Sequence, residues 1–142
     1  MEHMITYGSG TQADPWLLKT PSQTSEFKAW RDETANPPAL MVEVGSTRLS
    51  YHLSAIDDLA TMLKRSGDWV ALGNADEGKP VTEGSVEAWA RDPANPVGGY
   101  YGLRKGYRGR FANYVTPVLE VLGLAELEHG PRNNRVRSRE PA

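Results

Sequence analysis

The sequence predicts a single α+β domain, built from a mainly antiparallel sheet with hairpins and two to three helices, and three observations predict it. Residues 39–53 read as two β-prone runs joined by a Gly-Ser pair, the pattern of a hairpin. Residues 54–67 and 110–123 repeat their apolar positions every three to four residues, the pattern of helices. The length of 142 residues accommodates one ordinary core. The domain is expected over residues 14–137, with a flexible N-terminal segment at 1–13 and a frayed tail at 138–142.

The elements follow in order. "DPWLLKT" (Asp14–Thr20) reads as a short strand after a proline, and "SEFKAW" (Ser25–Trp30) favours a strand while fitting a helix almost as well. Pro37 and Pro38 break the chain, because each restricts the residue before it to extended backbone. In the hairpin "ALMVEVGSTRLSYHL" (Ala39–Leu53), Gly45 can supply the positive φ of a type II′ turn. Leu49, Tyr51 and Leu53 then share one face, with Arg48, Ser50 and His52 on the other.

Ser54 is the expected N-cap of the next helix, and Asp57 follows three residues later as in a capping box. Ile56, Leu59, Ala60 and Leu63 form its apolar stripe; Lys64 and Arg65 suit its C-terminal dipole, and Gly67 its stop. "DWVALG" reads as a returning strand, "ADEGKP" as a polar loop, and "TEGSVEAWARD" (Thr82–Asp92) as a short helix with Val86, Trp89 and Ala90 inward.

Phe111, Tyr114, Val115, Val118, Leu119 and Leu122 give the clearest helical period in the chain. Pro117 leaves two solutions: a helix kinked there, or a shorter helix with Thr116 as N-cap and Pro117 as its first residue. "LAELEHGPRNNRVRS" (Leu124–Ser138) then reads as a second hairpin.

Composition narrows the class of function. Apolar residues make up 39%, below the roughly 45–50% of typical globular chains, so a substantial loop fraction is expected. No apolar run reaches the ~20 residues of a membrane span, and no secretory leader is evident. Cysteine is absent, which removes disulfides, thiol catalysis and thiolate metal sites and points to a cytoplasmic location. The net charge of −2 conceals an asymmetry: −6 over residues 1–97 and +4 over residues 98–142. A basic C-terminal third suits a polyanionic partner.

That third begins with "VGGYYGLRKGYRGRF" (Val97–Phe111), which holds five glycines, three tyrosines and four basic residues. Glycines let backbone N–H groups approach an anion, the cations Arg104, Lys105, Arg108 and Arg110 neutralise phosphate, and Tyr101 and Tyr107 offer stacking faces. The helix that follows would add its N-terminal dipole. The structural alternative is a tight crossing over the sheet, with Tyr100, Tyr101 and Tyr107 packed at its edge and the bases paired to the acidic part of the chain.

The order helix, Gly, strand, turn, basic strand is that of the last helix and wing of a winged-helix domain. Arg132, Arg135, Arg137 and Arg139 would be the wing arginines, with Asn133 and Asn134 at the tip. The alternative is a hairpin that completes a sheet and solvates its arginines. "KGYRGRF" approaches the RNP1 pattern but carries Arg108 where a small residue is needed, so that reading is rejected.

Catalytic chemistry has little to stand on. His3, His52 and His129 are scattered without metal-ligand spacing, and adjacent Asp57 and Asp58 point in different directions from a helix. No catalytic residue, metal or cofactor is expected, and the chain leans away from being an enzyme.

The segments "DPWLLKTP", "TSEFKAWRDE", "PPALMVEVGSTRLSYHLSAIDDL", "GDWVALG", "EGSVEAWARDPANPVGGYYGLRKGYRGRF" and "VLGLAELEH" together resemble a family of small bacterial proteins of unknown function. The resemblance covers about Asp14 to Arg137 and implies a stand-alone bacterial cytosolic domain, with no activity attached. The leading functional expectation is a non-enzymatic module that binds nucleic acid or another polyanion. A protein-interaction or self-associating module is the alternative, and an enzyme acting on a small phosphorylated ligand the third. No membrane partner is expected.

Overall fold

In the computed structural model, which describes residues 8–139, Gly45 adopts φ +58° and closes a two-residue turn between β3 (Ala39–Val44) and β4 (Thr47–His52), with Val44 opposite Thr47. That register puts Val42 beside Leu49 and Leu40 beside Tyr51, all four buried. β1 (Trp16–Lys19) and β2 (Glu26–Asp32) precede them, so "SEFKAW" is a strand, and the four form an antiparallel sheet in the order β1-β2-β3-β4. Side chains alternate sides along a strand, so Phe27 and Ala29 face the core while Glu26 and Lys28 face solvent.

α1 (Ala55–Ser66) follows, then β5 (Val70–Ala71), the single turn α2 (Val86–Trp89), α3 (Phe111–Val121), β6 (Ala125–Leu127) and β7 (Arg135–Ser138). The last two strands form the expected hairpin, and β7 lies between β5 and β6 in a second antiparallel sheet. α3 packs on α1, α2, β1 and β6, and its Val115, Val118 and Leu119 are fully buried in the core that also holds Leu59 and Leu63 of α1. Burying each such aliphatic side chain stabilises the fold by about 1.5–3 kcal/mol. One core thus joins both sheets.

Three local expectations need correction. Ser54 makes no side-chain cap bond: its φ of −60° and ψ of −13° already place it in a helical turn, where its carbonyl accepts from Asp58 N. Helix α3 runs unbroken from Phe111 through Pro117, so Thr116 is not an N-cap; its hydroxyl instead donates back to the Ala112 carbonyl at 2.5 Å. The strand expected over "DWVALG" is only two residues long, because only Val70 and Ala71 pair with β7.

Residues 8–13, within the segment expected to be flexible, make backbone hydrogen bonds to the residues around them. Ser9, Gly10 and Thr11 N–H groups donate to the Asp14 carbonyl, and Arg31 N donates to Gly10 O. The remainder of that segment, with His3, and the last three residues of the tail lie outside the described residues. Among the described residues, no helix is long and apolar enough to cross a membrane.

Candidate functional site

The Gly/Tyr stretch divides into an inner and an outer half. The inner half is ordered by Asn95, whose side-chain N–H groups donate to Trp89 O (2.7 Å) and Gly99 O (2.8 Å), while its oxygen accepts from Val97, Gly98 and Gly99 N. Residues 101–103 then run along the free edge of β4, with His52 N donating to Tyr101 O and Leu103 N to Ser50 O.

This path carries Tyr101 into the core. Its ring is fully buried, stacked on Trp89 at 5.1 Å and tilted on Phe111 at 5.2 Å. Its hydroxyl donates to Asp58 at 2.8 Å, and burial together with that carboxylate raises its pKa. Tyr101 therefore has no face to offer a ligand, which corrects the stacking role expected for it. Tyr100 lies under the Arg91 guanidinium at 5.0 Å.

The outer half, residues 104–110, is a surface loop held from beneath by carboxylates. Glu77 accepts from Gly106 N (3.1 Å) and Arg108 N (2.7 Å). Arg110 N donates to Ala75 O, the Arg110 guanidinium pairs with Asp76, and Tyr51 donates its hydroxyl to Gly109 O at 2.9 Å. Gly109 is required here, because any Cβ would collide with the backbone of Ala75–Glu77. At the start of α3, Glu87 takes the place of an N-cap side chain. Its oxygens accept from Phe111 N (3.1 Å), Ala112 N (2.9 Å) and Arg91 (3.4 Å). Burial raises the Glu87 pKa in spite of those donors.

Both backbone anion sites legible in the sequence, the Gly-rich loop and the helix N-terminus, are thus present and filled by the chain's own carboxylates. Sequence reasoning missed Asp58, Glu77, Glu87 and Asn95. The available signal was the run of acids Asp76, Glu77, Glu83, Glu87 and Asp92 just upstream of four bases.

The remaining expected residues sort by partner. The Arg104 guanidinium lies 4.2 Å from the ring centre of exposed Tyr107 and donates to Arg48 O. Lys105 is exposed and Arg108 half-buried. Among the described residues, no carboxylate pairs with Arg104, Lys105 or Arg108. Arg110 is neutralised by Asp76, which lifts its pKa chiefly through their hydrogen bond. Arg135 pairs with Glu128 at 2.7 Å and Arg137 with Glu126 at 3.0 Å, and both guanidiniums cover Trp69. Arg132 stands exposed at the hairpin tip without a partner among the described residues.

Beside the outer loop lies a cleft of about 440 Å³, with Leu49, Asp76, Glu77, Tyr107, Arg110 and Tyr114 in its walls. Arg110 takes a left-handed conformation at its rim, φ +59°, which is uncommon for a residue with a Cβ.

A family model covers residues 8–139, that of a family of unknown function, DUF6855, and the chain belongs to it. The resemblance to a family without assigned function is thereby borne out. No curated protein and no solved structure matches the chain.

Proposed function

We propose that the chain is a non-enzymatic binding module that contacts a polyanion, a single-stranded nucleic acid foremost, through residues 104–108. The observation that carries this reading is the exposed Arg104–Tyr107 stack beside Lys105 and Arg108, three cations without a carboxylate partner among the described residues. Glu77 holds the loop backbone in place, which reduces the entropy lost on binding. Aromatic faces among cations suit single strands, whose unpaired bases can stack.

A winged-helix-like reading of the second half draws support from the order α1, β5, α2, α3, β6, β7, with β7 between its neighbours. α3 cannot serve as a groove-reading helix, however, because eight of its eleven residues are buried. Contact would then be to backbone and unpaired bases, in a bacterial cytoplasmic setting.

The test is fluorescence anisotropy with labelled single-stranded RNA and duplex DNA at two salt concentrations. Three phosphate contacts predict a slope of log affinity against log salt of roughly −2 for the single strand. Tyr107→Ala should weaken single-strand binding by about 1–3 kcal/mol. Absence of binding at low salt, or binding indifferent to Arg104, Lys105 and Arg108 replaced together by Ala, refutes the reading.

The cleft favours a second reading, a protein-interaction module. Its walls set Asp76 and Arg110 beside exposed Tyr107, and Tyr and Arg are the side chains that dominate protein contacts. A concentration-independent monomer mass in sedimentation, with no Tyr107-dependent partner in a pull-down, would remove it.

A further inference from the structure

A second cleft, of about 370 Å³, lies between the 73–82 segment, the β1–β2 turn at Pro21 and Ser22, the first turn of α3 and the tip of the β6–β7 hairpin. Its polar lining comes from Ser22, Asn74, Thr82, Asn113, Arg132, Asn133 and Asn134, of which Ser22 is bonded to Thr24 and Asn134 to Gly130, and its apolar lining is Leu72 and proline rings. The walls are held by bonds that do not use the other five polar side chains. Leu72 N donates to Asn134 O and Glu87 N to Leu72 O. The Asn134 amide clamps the hairpin tip, accepting from Gly130 N at 2.7 Å and donating to Gly130 O at 2.9 Å.

Asn74, Thr82, Arg132 and Asn133 are exposed and Asn113 is half-buried, and among the described residues none of these side chains has a hydrogen-bond partner in the chain, so all five can bond a ligand in place of water. Asn113 is the clearest case, since asparagine is a poor helix former and α3 gains no internal bond from it. Such a cleft has the size of a ligand site, is already formed, and carries convergent polar groups with unused capacity.

The chemistry of the lining selects the ligand class. Among the described residues, no carboxylate faces the cleft to pair with a cation, and no aromatic ring lines it to stack a nucleobase. One guanidinium can hold one carboxylate or phosphate with two parallel bonds. Three amides and a hydroxyl, which both donate and accept, match hydroxyl groups. We infer that this cleft binds a small hydroxyl-rich molecule bearing a single oxyanion group, with Arg132 on the oxyanion and Asn74, Thr82, Asn113 and Asn133 on the hydroxyls. This site is separate from the Arg104–Arg108 surface and does not depend on it.

The experiment is a titration of the ¹⁵N-labelled full chain, watching the side-chain amide signals of Asn74, Asn113 and Asn133 and the Nε–H signal of Arg132. Four probes are used: glucuronate, glucose 6-phosphate, glucose and inorganic phosphate. Saturable shifts of these signals with glucuronate or glucose 6-phosphate are expected, the tighter of the two identifying carboxylate or phosphate as the preferred group. Glucose should bind at least about tenfold more weakly, as should either charged sugar to Arg132→Ala. Asn113→Leu should lose binding to a similar degree while its backbone amide spectrum stays that of the folded chain. Absence of saturable shifts with both charged sugars overturns the inference, as do shifts confined to residues 104–110. Inorganic phosphate binding as tightly as the charged sugars overturns it too, since the hydroxyls would then go unread. RNA binding by the outer loop can fail while these shifts persist, so the two proposals fall separately.

Discussion

Replacing Glu87 tests whether an internal carboxylate holds the first turn of α3. The side chain is 1% exposed, and its oxygens accept from Phe111 N, Ala112 N and Arg91. Glu87→Ala leaves two buried N–H groups without an acceptor, at about 1–3 kcal/mol each. It also removes one partner of a buried charge pair, a loss of about 3–5 kcal/mol in itself. The two figures describe overlapping events and do not add. Arg91 keeps the carbonyls of Ala75, Asp76 and Lys79, so about 3–5 kcal/mol covers the whole. Domains of this kind hold about 5–15 kcal/mol in total, so the variant sits near its limit of folding. Glu87→Gln is the milder change, keeping one acceptor oxygen at a loss of about 1–2 kcal/mol.

Acidity supplies the sharper readout. Burial raises the folded pKa of Glu87 above its ordinary 4.5, so the folded chain binds this proton more tightly than the unfolded chain. The proton-linked stability is fully present below 4.5 and is lost as pH rises through the folded value. Gln has no proton to lose. The stability difference between the natural chain and Glu87→Gln should therefore shrink as pH rises across that window. Urea unfolding followed by tryptophan fluorescence at a series of pH values measures it. A difference that widens with pH, or an Ala variant as stable as the natural chain, would refute the assignment.

Three further outcomes follow from the same geometry. Gly109→Ala should destabilise by about 1–3 kcal/mol or more, because its Cβ meets the backbone of Ala75–Glu77 and no flexible side chain can yield; thermal unfolding reads the loss. Arg110→Gly relieves a left-handed conformation costing about 1–2 kcal/mol and gives up a half-exposed pair with Asp76 contributing about 0–1 kcal/mol, so its melting temperature should equal or exceed that of the natural chain, while Arg110→Ala falls below it. The hydrogen bond from Arg135 lowers the Glu128 pKa, so that pair stabilises above the ordinary 4.5 and its contribution is lost as pH falls through the folded value. Glu128→Gln should flatten that part of the acid unfolding curve, and an unchanged curve would show the pair to be thermodynamically silent.

The features decided by the sequence alone are those whose cause lies within a few residues. The β3–β4 hairpin rests on one glycine at a two-residue turn and on the alternation of Leu49 and Tyr51. Helix α1 rests on a stripe that recurs every turn and a glycine stop. The last hairpin rests on two short β-prone runs around a Gly-Pro tip, and it was the register of the fold that set Glu126 beside Arg137 and brought Arg135 to Glu128. Pro117 marks the limit of such reasoning: local propensity left open a new helix start at Thr116, and the helix instead continues through Pro117, packed on four neighbouring elements.

Tertiary structure alone decided what the Gly/Tyr stretch holds. Its glycines and its helix N-terminus do attract carboxylates, as their chemistry requires, but the carboxylates are Glu77 and Glu87, brought from 24 to 31 positions away. The same folding buried Tyr101 against Asp58 and left Tyr107 outside under Arg104. Hydrogen bonds and ion pairs act over about 3–4 Å, a distance that sequence separation does not encode. Which charges are spent inside the molecule, and which remain for a ligand, is settled only once the chain has brought them together.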